Sequence, residues 1–273
     1  MSEFTPRPDA SFIDSHAHLD ARQFDADRDE VIRRAEAALA AVINVSVDVE
    51  SSRRVLELAH KHPFIHAAAG IHPDEAGKVS EADIKQLSII ARDPAVVAIG
   101  EIGLDFYRDY APKEQQVKVL KWQLELADEV HKPVVIHCRQ AEKEMMEVLT
   151  DWRAGDRAAA RPASVIHCFN GTLETANAYL RLGFYISLGA YIGYPSSKAM
   201  REVVKALPLD KLLIETDCPY LPPQNRRGQR NEPAYVVETA KELAAVKGIS
   251  LIEIANQTTM NAKLLFGIPE RRK

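Results

Sequence analysis

Cysteine is scarce in this chain: Cys138, Cys168 and Cys218 are the only three, far apart and odd in number. That argues against a disulfide framework and for a reducing, cytoplasmic setting. Long apolar runs are missing too, since no uncharged stretch approaches the ~18 residues a membrane span needs. The opening Met1-Ser2-Glu3-Phe4-Thr5 lacks both the basic and the apolar region of a secretory signal. Charge of one sign is also absent, with 35 Lys and Arg against 39 Asp and Glu, a net −4. Chemistry on a polyanion would then depend on a local basic patch and bound metal, because the molecule as a whole does not attract one. There is no low-complexity linker, no repeated motif and no Gly-rich phosphate turn after the first predicted strand. These absences argue against joined domains, a solenoid and a doubly wound nucleotide-binding sheet, in that order.

What is present is the material of a large core: 46% hydrophobic and 27% charged residues over 273 positions. Short apolar runs rich in β-branched residues predict strands near 11–16, 41–47, 64–70, 95–101, 133–138, 163–168, 184–189 and 211–216. Helical periodicity fills the intervals, as at 27–40, where Val31, Ile32, Ala35 and Leu39 share a face, and at 113–130, where Val117, Leu120, Leu124 and Ala127 do. Ser80 with Asp83 marks a helix start, and Ser250 with Glu253 a capping box. Eight βα units roughly 30 residues apart predict an α/β TIM (β/α)8 barrel, one domain over residues 1–273, with residues 1–10 as a flexible arm.

In such a barrel, chemistry gathers at the C-terminal ends of the strands. Six metal-ligand residues fall there: His16 and His18 after strand one, Glu101 after four, His137 after five, His167 after six and Asp217 after eight. Positions two apart on a strand point the same way, so His16 and His18 can meet one ion. The expected site holds two divalent ions, one on His16, His18 and Asp217 and the other on His137 and His167, with Glu101 bridging. Imidazole and carboxylate suit zinc, manganese, iron or nickel, and the candidate ions are magnesium, manganese and zinc. Asp217 and Glu101 are the candidate catalytic residues.

By the same alternation Asp14 and Glu215 lie beneath the ligands, where each carboxylate is expected to support the free ring N–H of a ligand histidine. Arg139 and His72 should lean into the mouth as phosphate contacts. Arg226, Arg227 and Arg230 offer either a local basic patch or a solvated loop. Each cysteine directly follows a ligand and should face the helix layer as a small apolar residue. His60, His62, His66 and His131 are given no function.

Six motifs taken together resemble those of a known family: Phe12-Ile13-Asp14-Ser15-His16-Ala17-His18-Leu19-Asp20, Gly70-Ile71-His72-Pro73, Gly100-Glu101-Ile102-Gly103-Leu104-Asp105, Pro133-Val134-Val135-Ile136-His137-Cys138-Arg139, His167-Cys168-Phe169-Asn170-Gly171 and Glu215-Thr216-Asp217-Cys218-Pro219-Tyr220-Leu221. They resemble the TatD family of metal-dependent deoxyribonucleases within the amidohydrolase superfamily. The resemblance runs from residue 12 to Phe266 and includes Asn231-Glu232-Pro233 and Thr258-Thr259-Met260-Asn261-Ala262. It implies 3′ to 5′ exonuclease action on DNA, with RNA as a further substrate, through water activated by two divalent ions. Some relatives lack the first-strand histidine pair, which this chain keeps. Related proteins include D-aminoacyl-tRNA deacylases, and the superfamily hydrolyses esters, amides and lactones, so ester or amide hydrolysis is the alternative and a non-catalytic metal scaffold the third reading. A nucleic acid (DNA, RNA or tRNA) is the expected partner, with no membrane and no protein partner.

Overall fold

All eight predicted strands form: β1 (Ile13–Ala17), β2 (Ala41–Val45), β3 (Ile65–Ala69), β4 (Val96–Asp105), β5 (Val134–Arg139), β6 (Ser164–Ile166), β7 (Phe184–Leu188) and β8 (Leu212–Ile214). The structure is a computed structural model describing residues 12–108, 110–154 and 161–269; the arm expected at residues 1–10 lies outside the described residues. The strands lie in one sheet, in the order β1 to β8. Each neighbouring pair is parallel. The circle is closed by a parallel bridge between Ala17 and Cys218, with His18 N–H donating to Cys218 O at 2.8 Å and Asp217 N–H to His16 O at 2.9 Å. This is a TIM barrel, and its helices cover the outside.

The helices are α1 (Arg28–Ala38), α2 (Val49–Lys61), α3 (Glu81–Ala91), α4 (Lys113–Val130), α5 (Glu142–Ala154), α6 (Leu173–Arg181), α7 (Lys198–Ala206), α8 (Val236–Lys247) and α9 (Leu251–Phe266). Reciprocal capping boxes start α3 at Ser80 and Asp83 and α9 at Ser250 and Glu253. Among the described residues no helix is long and apolar enough to cross a membrane.

Side-chain alternation sorts the strands into two cores. One fills the lumen with Ile13, Ile43, Ala68, Ala98, Val135, Val165, Tyr185 and Leu213, one from each strand, and Leu265 and Phe266 of α9 pack against it. The other lies between strands and helices and takes the intervening residues, among them Val42, Ile99, Ile136, Ile186 and Ile214. Three irregularities interrupt the register: β3 slips against β4 between Ala67 and Ala68, β1 against β2 between Asp14 and Ala17, and β4 against β5 between Ile99 and Ile102. The slip between Ile99 and Ile102 turns Glu101 inward although Ile99 and Ile102 both face the helices. It also carries β4 on to Asp105, past the expected end near 101. Gly103 allows that extension: its φ is +151°, and a Cβ there would collide with the carbonyl of His137.

Candidate metal centre

Six candidate ligands converge at the C-terminal mouth around Glu101. Its two oxygens face different partners. Oε1 lies 2.8 Å from His137 Nδ1 and 2.8 Å from His167 Nε2, and Oε2 lies 3.4 Å from His16 Nε2 and 3.6 Å from His18 Nε2. Asp217 Oδ1 completes the second group, 3.5 Å from His18 Nε2 and 3.9 Å from His16 Nε2. Asp217 reaches back because its backbone is left-handed, with φ +54°, an arrangement that recurs at functional sites.

Several features fit a cation. The facing nitrogens His16 Nε2 and His18 Nε2 are 3.1 Å apart, and His137 Nδ1 and His167 Nε2 are 3.3 Å apart. Two ligand atoms each ~2.1 Å from one tetrahedral ion are separated by roughly 3.4 Å. His18 Nδ1–H donates to Val45 O at 2.8 Å, which leaves the Nε2 lone pair of the neutral ring free toward the cluster. Burial alone would raise Glu101, but His167, His72 and His16 hold it well below the usual carboxylate range. Asp217 is likewise held down, its burial outweighed by the hydrogen bond with His18. Burial would also lower His18, yet Asp217 and Glu101 raise it to about 9. The carboxylates are thus ionised in a buried pocket, and the donor set is nitrogen and oxygen throughout.

Glu215 lies beneath His167, its Oε1 3.4 Å from Nδ1 at ion-pair distance and accepting from Cys168 N–H at 2.7 Å. Asp14 departs from expectation. It meets no histidine ring, accepting instead from the amides of Thr216 at 2.9 Å and His16 at 3.3 Å and bonding Thr216 Oγ1 at 2.5 Å. Burial pushes its carboxyl up to about 8. The cause is the slip in β1, across which the two-residue period does not carry from position 14 to position 16. His16 Nδ1 is buried without a partner.

His72 sits deeper than a rim contact, its Nε2 3.5 Å from Glu101 Oε1. Its Nδ1 accepts from Asp74 N–H at 3.1 Å, so a neutral ring carries its proton on the side facing Glu101. Burial, aided by His137 and opposed by Glu101, pushes it down to about 3. Arg139 is exposed, with its guanidinium 3.9 Å over the Tyr107 ring. The loop after β8 is largely exposed, but its three arginines are engaged with neighbouring side chains. Arg226 stacks on Tyr235 at 3.9 Å, Arg227 on Tyr194 at 4.6 Å, and Arg230 pairs with Asp27 at 2.7 Å. Cys138 faces the helix layer, within 3.7 Å of the Tyr179 hydroxyl. His60 pairs with Asp93 at 3.1 Å.

Sequence reasoning missed three residues. Asp105 Oδ2 lies 3.1 Å from His137 Nε2, the support expected of a carboxylate behind a ligand ring. Burial alone would raise Asp105, but the bond to His137 and the amides of Arg108 and Tyr107 hold it at about 2. Its signal was position: 101, 103 and 105 share one face of a strand. The other two are the buried glutamines of α4. Gln116 Oε1 accepts from Asp105 N–H at 2.9 Å and its Nε2 donates to Asp105 O at 3.0 Å. Gln123 does the same for Ile71, at 2.7 and 3.0 Å, fixing the turn that carries His72.

Comparison with known proteins places these features among relatives. Residues 13–267 match the model of a family described as TatD related DNase. An uncharacterized metal-dependent hydrolase, YabD, of Bacillus subtilis is 41% identical over 94% of this chain and 99% of its own length. A 3′-5′ ssDNA/RNA exonuclease TatD of Erwinia amylovora is 36% identical over 94% of this chain and its full length. The crystal structure of YJJV, a TatD homologue from Escherichia coli K12, superposes with a TM-score of 0.87 at 33% identity, covering 94% of this chain and 98% of its own.

Proposed function

Because the chain belongs to the TatD related DNase family of metal-dependent hydrolases, we propose that it shortens single-stranded DNA from a free 3′ end, with RNA as a second substrate. The observation that carries this reading is the division of Glu101, one oxygen toward His137 and His167 and the other toward His16 and His18. His16, His18 and Asp217 would hold one divalent ion, His137 and His167 the other, and Glu101 both. Zinc and manganese suit so nitrogen-rich a set better than magnesium. Bound there, two divalent ions would make water acidic near neutral pH and polarise a phosphoryl oxygen.

The remaining work falls to the chain. Asp217, whose side chain keeps 15% exposure, accepts the proton of the attacking water. Arg139 holds a phosphate oxygen through its exposed guanidinium, and His72, its proton directed at Glu101, keeps the shared carboxylate in place beside the phosphate. Asp105 fixes the ring plane of His137 through a hydrogen bond, and Glu215 places its charge behind the His167 ring. Substrate attraction draws on Arg139 and the ions.

The test compares oligonucleotides with free and blocked 3′ ends beside a D-aminoacyl-tRNA. Stepwise loss of nucleotides from the free end alone is expected, with binding weakened by rising salt. Rapid deacylation without nucleotide loss would transfer the assignment to a carbonyl ester hydrolase.

A further inference from the structure

Three large aromatic side chains stand exposed on loops at the mouth, Tyr107 at 57%, Tyr110 at 69% and Tyr220 at 51% of full exposure, and of these Tyr107 and Tyr220 are tied to Asp105 and Asp217 of the candidate centre. Tyr107 follows β4 and Tyr220 follows β8, four strands apart in a closed ring of eight, so they lie on opposite sides of the metal centre. Exposed rings usually sit on yielding backbone, but these do not. Tyr107 N–H and Arg108 N–H both donate to Asp105 Oδ1 at 2.9 Å, and Asp105 holds His137 through its other oxygen. Tyr220 N–H donates to the carbonyl of Asp217 at 2.9 Å, and Asn231 Nδ2 donates to Tyr220 O at 2.8 Å. The Tyr220 ring centroid is 6.3 Å from that of His18. Each ring is therefore registered to one half of the candidate centre.

Beside Tyr107 lies a cavity of about 340 Å³ shared with Arg139, Gln140, Phe169 and Asn170. That is the size of a small-ligand pocket, and it offers side-chain amides along with the ring. Arg139 already stacks on Tyr107, which shows that the ring accepts a planar partner.

We propose that Tyr107 and Tyr220 are base-stacking platforms that hold the two nucleobases flanking the scissile phosphate, one on each side of the metal centre. The inference rests on the nuclease reading and adds to it how a single strand is gripped. Every base has a π-face, so such a grip is tolerant of sequence, and it excludes a duplex, whose bases are stacked on one another. It also compensates for a net charge of −4.

The experiment is a cycle that removes ring and base separately. Dissociation constants are measured for oligonucleotides with a phosphorothioate last linkage, either intact or abasic at the 3′-terminal or the penultimate position. Tyr107→Leu and Tyr220→Leu should each weaken binding of the intact strand roughly 5- to 100-fold. Each should lose that effect on one abasic strand, a different one for each tyrosine. Tyr107→Phe and Tyr220→Phe keep the ring and should restore the discrimination between intact and abasic strands. If the leucine variants weaken intact and abasic strands equally, or not at all, while the native protein still degrades free 3′ ends, the platforms are refuted and the nuclease stands. If the native protein degrades no oligonucleotide, both readings fail together.

Discussion

At the scale of single residues the proposed mechanism gives the two carboxylates of the centre separable work. Glu101 meets all four candidate ligand histidines, and without it the cluster loses the negative charge that lies between its two halves. Glu101→Ala should therefore lower metal content below that of the native protein as well as abolish turnover. Asp217→Asn keeps an oxygen donor and the size, so metal content should hold while kcat falls roughly 10²- to 10⁴-fold with little change in KM. Metal analysis alongside kinetics checks both, and near-native turnover in a fully loaded Asp217→Asn protein would move the proton acceptor elsewhere. The ligand-type residues were legible in the sequence because each stands at a strand end. Asp14 was misread, because alternation holds only while a strand keeps its register. Asp105 was missed because β4 continues four residues beyond where its apolar run suggests an end, which only Gly103 permits.

At the scale of elements, α4 does more than cover the barrel. Gln116 and Gln123 are seven residues apart, two turns along one helix face, and each grips both the N–H and the C=O of one residue that builds the site, Asp105 at the end of β4 and Ile71 in the turn after β3. Gln116→Met keeps the volume but strands the amide and carbonyl of Asp105 without those partners. A buried group left unpaired costs about 1–3 kcal/mol, so the denaturation midpoint should drop accordingly. Metal affinity should also weaken, because Asp105 supports His137. If Gln116→Met binds metal and unfolds as the native protein does, α4 has no part in building the site. No periodicity announces this function: a glutamine on an otherwise apolar stripe reads as a flaw in the pattern until its backbone partners are known. The helices themselves were legible, and the boxes at Ser80 and Ser250 mark their starts, since capping is chemistry local to four residues.

At the scale of the whole molecule, the lumen packing and the ligand cluster are separate constructions, one below the other along the barrel axis. Every strand contributes to the packed interior, with the end of α9 against it, so the fold has a core that owes nothing to metal. Chelation should leave far-UV circular dichroism nearly unchanged and abolish hydrolysis reversibly. It should also lower Tm by roughly 5–10 °C at an ion excess of 100 to 1,000 times Kd, because ions that bind only the native state stabilise it by mass action. Loss of secondary structure on chelation would mean that the centre is part of the fold.

The closing bridge between Ala17 and Cys218 has a temporal meaning. One half of the centre draws two histidines from the first strand's end and its carboxylate from the last, some two hundred positions later in synthesis. A ribosome that has made every other strand has still not made this half of the site. The growing chain thus carries an incomplete centre until the barrel can shut.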